Sequence, residues 1–431
     1  MNGRIITRKS AVLVTVLGTI IGPAMAVRTA NAIPAFARKY HVRCFMCHTV
    51  FPRLNKLGYE FKRLGYRMPP GWNGKKAPTP VRMISSHEPF KLADELAIFL
   101  RTDVQYLKDE APDGTKTSTS SIDFAEGSLL WGGAIPDTNF SYFGEYVFYE
   151  DGESELERAK IDYTGGNVEH SYFVGIGKTH LQEGYMASDM HGLTDGDAPL
   201  MWTAVSPNNF HLAQNPGLVE GGYTYMSPKY KTVIGLTLKV TNGLDADGEG
   251  IVSGSDRKHK DVWFDGDFLL GNQFAFSVNY YQGKKEQIQN GGAPDEFMYE
   301  PETTRYGLYA HYLFARHLDV LAGFQHATED WQQVVSLPVG SFDSNGYFVE
   351  ADEYIKQGLV AWARYDSNPA DAPIPSLAKS KDHLWTAGIL KTLTELGNVK
   401  AYLEYSNETI DTWDREHSTN KSLTLGLDLG W

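Results

Sequence analysis

The chain has 431 residues, 42% hydrophobic, 13% aromatic and 22% charged, with a formal net charge of −13. Two cysteines exclude a disulfide scaffold, and the acidic balance gives no reason to expect a nucleic-acid partner. The length suits either two or three ordinary domains or one large β-domain.

Residues 1–32 read as an export signal. Arg4, Arg8 and Lys9 supply the positive start, and Ala11 to Ile21 is apolar apart from Thr15, Gly18 and Thr19. Two small-residue sites follow, Ala24-Met25-Ala26 and Ala30-Asn31-Ala32, and cleavage is expected after Ala32. No later stretch approaches the ~20 apolar residues of a membrane helix. A spanning helix is thereby excluded, and a spanning β-barrel is not.

Residues 33–80 form a basic module. They hold ten basic residues, Arg38 through Lys76, against one acid, Glu60. Both cysteines of the chain lie here, in Cys44-Phe45-Met46-Cys47-His48. In Cys-x-x-Cys-His the two thiols attach haem covalently and the histidine binds its iron, so one haem c is the expected cofactor. A thioredoxin-like pair would need a surrounding βαβ pattern, and half a zinc site would need a second cysteine pair. Neither is present in the sequence. Leu54, Leu57, Phe61 and Leu64 recur at helical spacing, with Pro52 before the run and Gly65 after it. This predicts a short helix whose apolar face packs on the haem. Met68 follows and is the candidate sixth ligand, as a thioether that would raise the potential. His41, His87 and Met83 are the alternatives, and Met46 sits too far inside the attachment loop. A module this short needs a staple or a partner to be stable.

Residues 81–431 change character. Period-two runs rich in Tyr, Phe, Val and Thr recur, bounded by Gly, Asn, Asp and Pro. Examples are residues 95–106, 140–149, 232–240, 274–281, 305–313 and 399–405. The last run places Leu423, Leu425, Leu427 and Leu429 on one face and Thr424, Gly426 and Asp428 on the other, and ends on Trp431. Such runs are near the ~10 residues that cross a bilayer when tilted, and aromatics gather at their ends. The fold class expected is mostly β, an outer-membrane β-barrel of about sixteen strands behind a small α-helical c-type cytochrome module. Residues 396–398 and 315–316 are predicted short periplasmic turns. Residues 107–121, 244–260, 284–302, 330–350 and 407–420 are predicted outer loops. Residues 178–215 lack a clear period and admit two readings, one more hidden strand or a segment folded into the lumen as a constriction. A soluble sandwich or propeller is disfavoured by strand length, by the export signal and by the lack of a blade-length repeat.

Ile33 to Tyr40 (IPAFARKY), the Cys-x-x-Cys-His motif, Phe51 to Gly58 (FPRLNKLG) and Phe61 to Tyr66 (FKRLGY) together resemble the start of the fused cytochrome–porins of iron-oxidising bacteria. The match covers residues 33–70; the barrel is similar only in kind. The resemblance implies one haem held on Cys44, Cys47 and His48, with Met68 as candidate ligand. It implies electron transfer from extracellular Fe(II), or another outside donor, to a periplasmic c-type cytochrome or other carrier. It also implies residence in outer-membrane lipid. Two other readings stand beside it: a porin with a haem plug or redox gate, and a haem enzyme with an open sixth site. Three acidic groups, Asp109/Glu110/Asp113, Glu150/Asp151/Glu153/Glu155 and Asp245/Asp247/Glu249, read first as solvated loop charge. The opposite charges of module and barrel favour docking of one inside the other.

Overall fold

The computed structural model describes residues 35–40, 42–50, 52–69, 96–150, 152–186, 193, 199–202, 215–227, 229–241, 260–284, 287–288, 298–299, 302–315, 317–331, 340–371, 378–394, 397–412 and 415–430. The signal segment, the alternative ligands His41, Met83 and His87, the acidic group at 245–249, Asp151 and Trp431 lie outside them.

Sixteen strands close into one antiparallel barrel. In chain order they are β1 (Leu96–Glu110), β2 (Lys116–Ala134), β3 (Phe140–Glu150), β4 (Glu153–Gly166), β5 (His170–Lys178), β6 (Gly217–Ser227), β7 (Thr232–Thr241) and β8 (Asp261–Leu270). The second half is β9 (Phe274–Lys284), β10 (Glu302–Phe314), β11 (Leu318–Trp331), β12 (Gly340–Lys356), β13 (Leu359–Ser367), β14 (Lys381–Thr392), β15 (Val399–Asp411) and β16 (His417–Gly430). Each strand pairs with its sequence neighbours. The ring closes where β16 pairs with β1, Leu425 opposite Val104 and Gly430 opposite Phe99. Closure leaves no unpaired edge, which is what lets β-structure sit in lipid.

The period-two sequence explains which face is which. In β10, Tyr306, Leu308, Tyr312 and Phe314 face outward, while Arg305, Tyr309 and His311 are buried inside. In β16, Thr424 and Asp428 point inward, and Leu423 outward, as the alternation requires. Outward aromatics gather at both ends. Phe140, Tyr163 and Tyr172 form one group, with Phe140 and Tyr163 5.4 Å apart. Tyr347, Tyr365 and Trp385 form another near the opposite end, with Tyr365 and Trp385 4.5 Å apart. An apolar exterior between two aromatic girdles is a lipid-facing surface.

The ends of the barrel differ. Residues 135–139, 167–169, 271–273 and 357–358 make tight turns at the end that also carries the start of β1 and the finish of β16. Gly397, at φ +88°, sits in another of these turns, where the left-handed backbone favours glycine. The long connection 179–216 leaves from the opposite end. Short turns mark the periplasmic side of such barrels and long loops the outer side.

Several predicted outer loops are shorter than expected. Strands β1 and β2 run to Glu110 and from Lys116, so most of 107–121 is strand. Likewise β11 reaches Trp331, β12 begins at Gly340, β15 reaches Asp411 and β16 begins at His417. Asp109 and Glu110 accordingly end a strand, and Glu153 and Glu155 begin one. The reason is physical. Strand pairing continues beyond the lipid, where neither face needs an apolar side chain, so the period-two signal stops before the strand does.

Two segments occupy the lumen. The first is the N-terminal module, with helix α1 (Ala35–Tyr40), a short hairpin (His48–Val50 with Arg53–Leu54) and helix α2 (Lys56–Arg63). The second is the described part of 179–202, which matches the lumen reading of that stretch rather than the hidden-strand one. Tyr59 and Leu64 of the module share one buried core with Leu181, Tyr185, Met201 and Trp202 of that segment.

Candidate functional site

The attachment loop begins with one turn of 3-10 helix at Cys44–Met46, and Cys47 N–H donates to Cys44 O at 3.1 Å. Asn55 then caps α2. Its side chain accepts from Gly58 N–H at 3.0 Å and donates to Met46 O at 3.0 Å, so one residue fixes both helix and loop. Gly58 brings the helix against the loop. A Cβ there would lie 2.1 Å from Cys47 O, closer than any side chain tolerates.

Cys44, Cys47, His48 and Met68 line one cavity of about 460 Å³. That volume is in the range of small-molecule and cofactor sites. Phe36, Leu54, Phe61, Leu130 and Trp131 give it apolar walls. Ala97 at the start of β1 and Gly430 at the finish of β16 also line it, which puts it at the short-turn mouth.

The chemistry of the donor set fits a c-type haem. His48 Nδ1 lies 2.8 Å from Pro52 O. A carbonyl only accepts, so Nδ1 carries the proton and Nε2 carries the lone pair that a metal needs. Burial also pulls the His48 imidazole below its ordinary value, which keeps it neutral. Burial pushes Cys44 up to about 12 and Cys47 up to about 11. Thiols so far from ionising make poor redox nucleophiles or zinc thiolates, whereas a thioether has no proton to lose. Arg43 lines the cavity, and its Nε is buried with no hydrogen-bond partner. A donor left in that state suits an anionic group such as a haem propionate.

The wall of the lumen holds the module. Arg53 is the central anchor. Its Nη2 lies 2.6 Å from Glu350 Oε1, its Nη1 bonds Asp352, and Asp319 lies 3.8 Å away. Arg63 donates to Thr224 and Thr237 hydroxyls at 2.8 and 2.6 Å and to the carbonyls of Tyr223 and Leu236. Tyr59 donates to Asp267 at 2.6 Å. Arg67 donates to Thr138 O and Phe140 O at the rim. The basic residues of the module thus meet the acids and carbonyls of the wall, as the charge asymmetry predicted.

Sequence reading missed one cavity residue of chemical interest. His180, 7% exposed, lines the same cavity from the lumen segment. Its only sequence signal was a histidine in a stretch without period. Among the described residues, no group of three or more His, Cys, Asp or Glu side chains is arranged to hold a further metal ion.

No family model matches the chain, and no curated protein matches it. Solved structures do. The outer membrane channel DcaP of Acinetobacter baumannii is 13% identical, with TM-score 0.53, over 79% of this chain and 99% of that one. The in-vitro folded outer membrane protein OmpT of Vibrio cholerae is 12% identical, with TM-score 0.52, over 78% and 97%. The anion-selective porin of Comamonas acidovorans is 13% identical, with TM-score 0.51, over 78% and 99%. At these identities the likeness is one of fold. The fold is the porin-like barrel of the bacterial outer membrane, with a lipid-facing girdle to match.

Proposed function

We propose that this chain is an outer-membrane electron-transfer protein that carries one covalent haem c on Cys44, Cys47 and His48. When bound, the haem supplies one-electron exchange. The observation that carries the reading is the shared cavity, where both thiols, a tautomer-fixed His48 and an unsatisfied Arg43 Nε meet inside a lipid-spanning barrel. The resemblance of residues 33–70 to the fused cytochrome–porins supports the same reading. The residues of this chain do three things. Cys44 and Cys47 tether, and Pro52 O orients His48. The apolar walls exclude water. Arg53, Arg63 and Tyr59 hold the module against the lumen wall, so that the site stays at a fixed depth. Met68 lines the cavity and is one candidate for the sixth position.

Extracellular Fe(II) is the donor we propose, with a periplasmic c-type cytochrome as acceptor. The test is stopped-flow visible spectroscopy of purified oxidised protein mixed with Fe(II). Rapid growth of a reduced c-type band is expected. Prompt reduction by dithionite without reduction by Fe(II) would remove iron as the donor.

A second reading is a porin with a haem plug. The likeness to a channel and to an anion-selective porin favours it, as does a module seated in the lumen. Ion conductance that changes with redox state would select it.

A further inference from the structure

We infer that His180, on the lumen segment between β5 and β6, is the second axial ligand of the haem that His48 binds. The inference rests on the haem reading above. Axial ligands reach iron from opposite faces of the macrocycle, so a pair must come from opposite sides of the cavity. His48 is anchored on one wall. Val50, two residues on, is packed with Val360 and Trp362 of β13, Leu390 of β14 and Tyr402 of β15. His180 is anchored on the other. Its carbonyl accepts from Lys239 Nζ of β7 at 2.7 Å, and Thr179 N–H donates to Pro216 O at 3.2 Å. Three residues on, Glu183 lies 3.2 Å from Lys160 Nζ of β4 and close to Lys239. The middle of that wall, β6, stands eight positions from β14 in a ring of sixteen. Two histidines therefore line one cavity from backbones held on opposed walls.

Met68 enters differently. Its neighbour Arg67 is tied at 2.8 and 2.9 Å to carbonyls of the turn between β2 and β3, at the mouth. Around the ring that turn lies between the two walls, four to five positions from β14 and three to four from β6, so it is not set opposite the His48 wall as β6 is. His180 is also the better braced of the two. It is buried beside Leu181, which is 1% exposed, on a segment bonded to β7 and β8. A ligand whose backbone is already fixed is held precisely.

The experiment uses the purified, haem-loaded full chain in detergent. Near-infrared magnetic circular dichroism of the oxidised wild type is expected to give a bis-histidine signature. A histidine–methionine signature overturns the inference and leaves the haem reading intact. His180→Ala is expected to keep its covalent haem and its heat-modifiable barrel band, but to turn high-spin and bind carbon monoxide when reduced. Met68→Ala is expected to stay low-spin and inert to carbon monoxide; the reverse pattern overturns the inference. If His180→Ala does not fold, His180→Met decides. It is expected to stay six-coordinate with a raised potential, since methionine in place of histidine raises haem potentials, and an unchanged potential overturns the inference. Wild type without covalent haem overturns the haem reading and this inference together.

Discussion

At the scale of single residues, the site depends on two contacts that the motif alone does not contain. Gly58 lets α2 touch the carbonyl of Cys47, and no side chain fits between them. Gly58→Ala is expected to push the helix off the loop and lower the fraction of chains with covalent haem, read by haem staining on a denaturing gel. Equal staining of variant and wild type would show that the approach does not matter. Arg53 is the second contact, fully buried against Glu350, Asp352 and Asp319. Removing one partner of such a cluster leaves uncompensated charge and costs about 3–5 kcal/mol. Arg53→Ala should therefore loosen the module while the barrel stands. Limited trypsin digestion should release an N-terminal fragment and leave the heat-modifiable band, and full protection would count against the anchor.

At the scale of elements, each strand carries two instructions. Its outward face reads lipid and its inward face reads the module. Leu403 of β15 is 42% exposed and lies opposite Leu425 of β16. An arginine on the lipid face near the midplane costs about 2–4 kcal/mol. Leu403→Arg is expected to lower the barrel's urea midpoint in detergent or lipid, whereas Thr424→Ser, on the inward face, should move it little. Equal shifts would contradict the assignment of faces. The helices obey a different rule. Helix α2 has eight residues, too few to be stable alone, and it is held by the Asn55 cap and by the wall around Tyr59 and Arg63.

At the scale of the whole molecule, the lumen is filled from both ends. The module enters at the short-turn mouth, and the described part of 179–202 meets it in one buried core. Wild type is expected to conduct poorly in planar bilayers. Replacing Arg53 with glutamate sets like charge against Glu350 and Asp352, replacing Arg63 with glutamate removes its bonds to Thr224 and Thr237, and the two together should expel the module and raise conductance. High conductance of wild type would instead favour the porin reading. The same architecture bears on distance. A single haem, as proposed, would not cross the ~30 Å hydrocarbon core by itself, and the cavity lies at the short-turn mouth, the side from which the proposed periplasmic acceptor would meet it.

The amino-acid sequence by itself determined the Cys-x-x-Cys-His motif, the basic module and the barrel class, and it put the strand count at about sixteen, because each rests on local spacing. Cys44, Cys47 and His48 fall within five consecutive positions, and period two is a property of neighbours. It determined that module and barrel carry opposite charge, though not which residues pair. Strand ends escaped it, because beyond the lipid a strand is held by backbone pairing that leaves no apolar pattern. Only the tertiary structure decided that Arg53 finds Glu350 and Asp352, nearly 300 residues away. It alone brought His180 to the cavity of Cys44 and His48, because that meeting requires a closed ring to set two distant walls face to face.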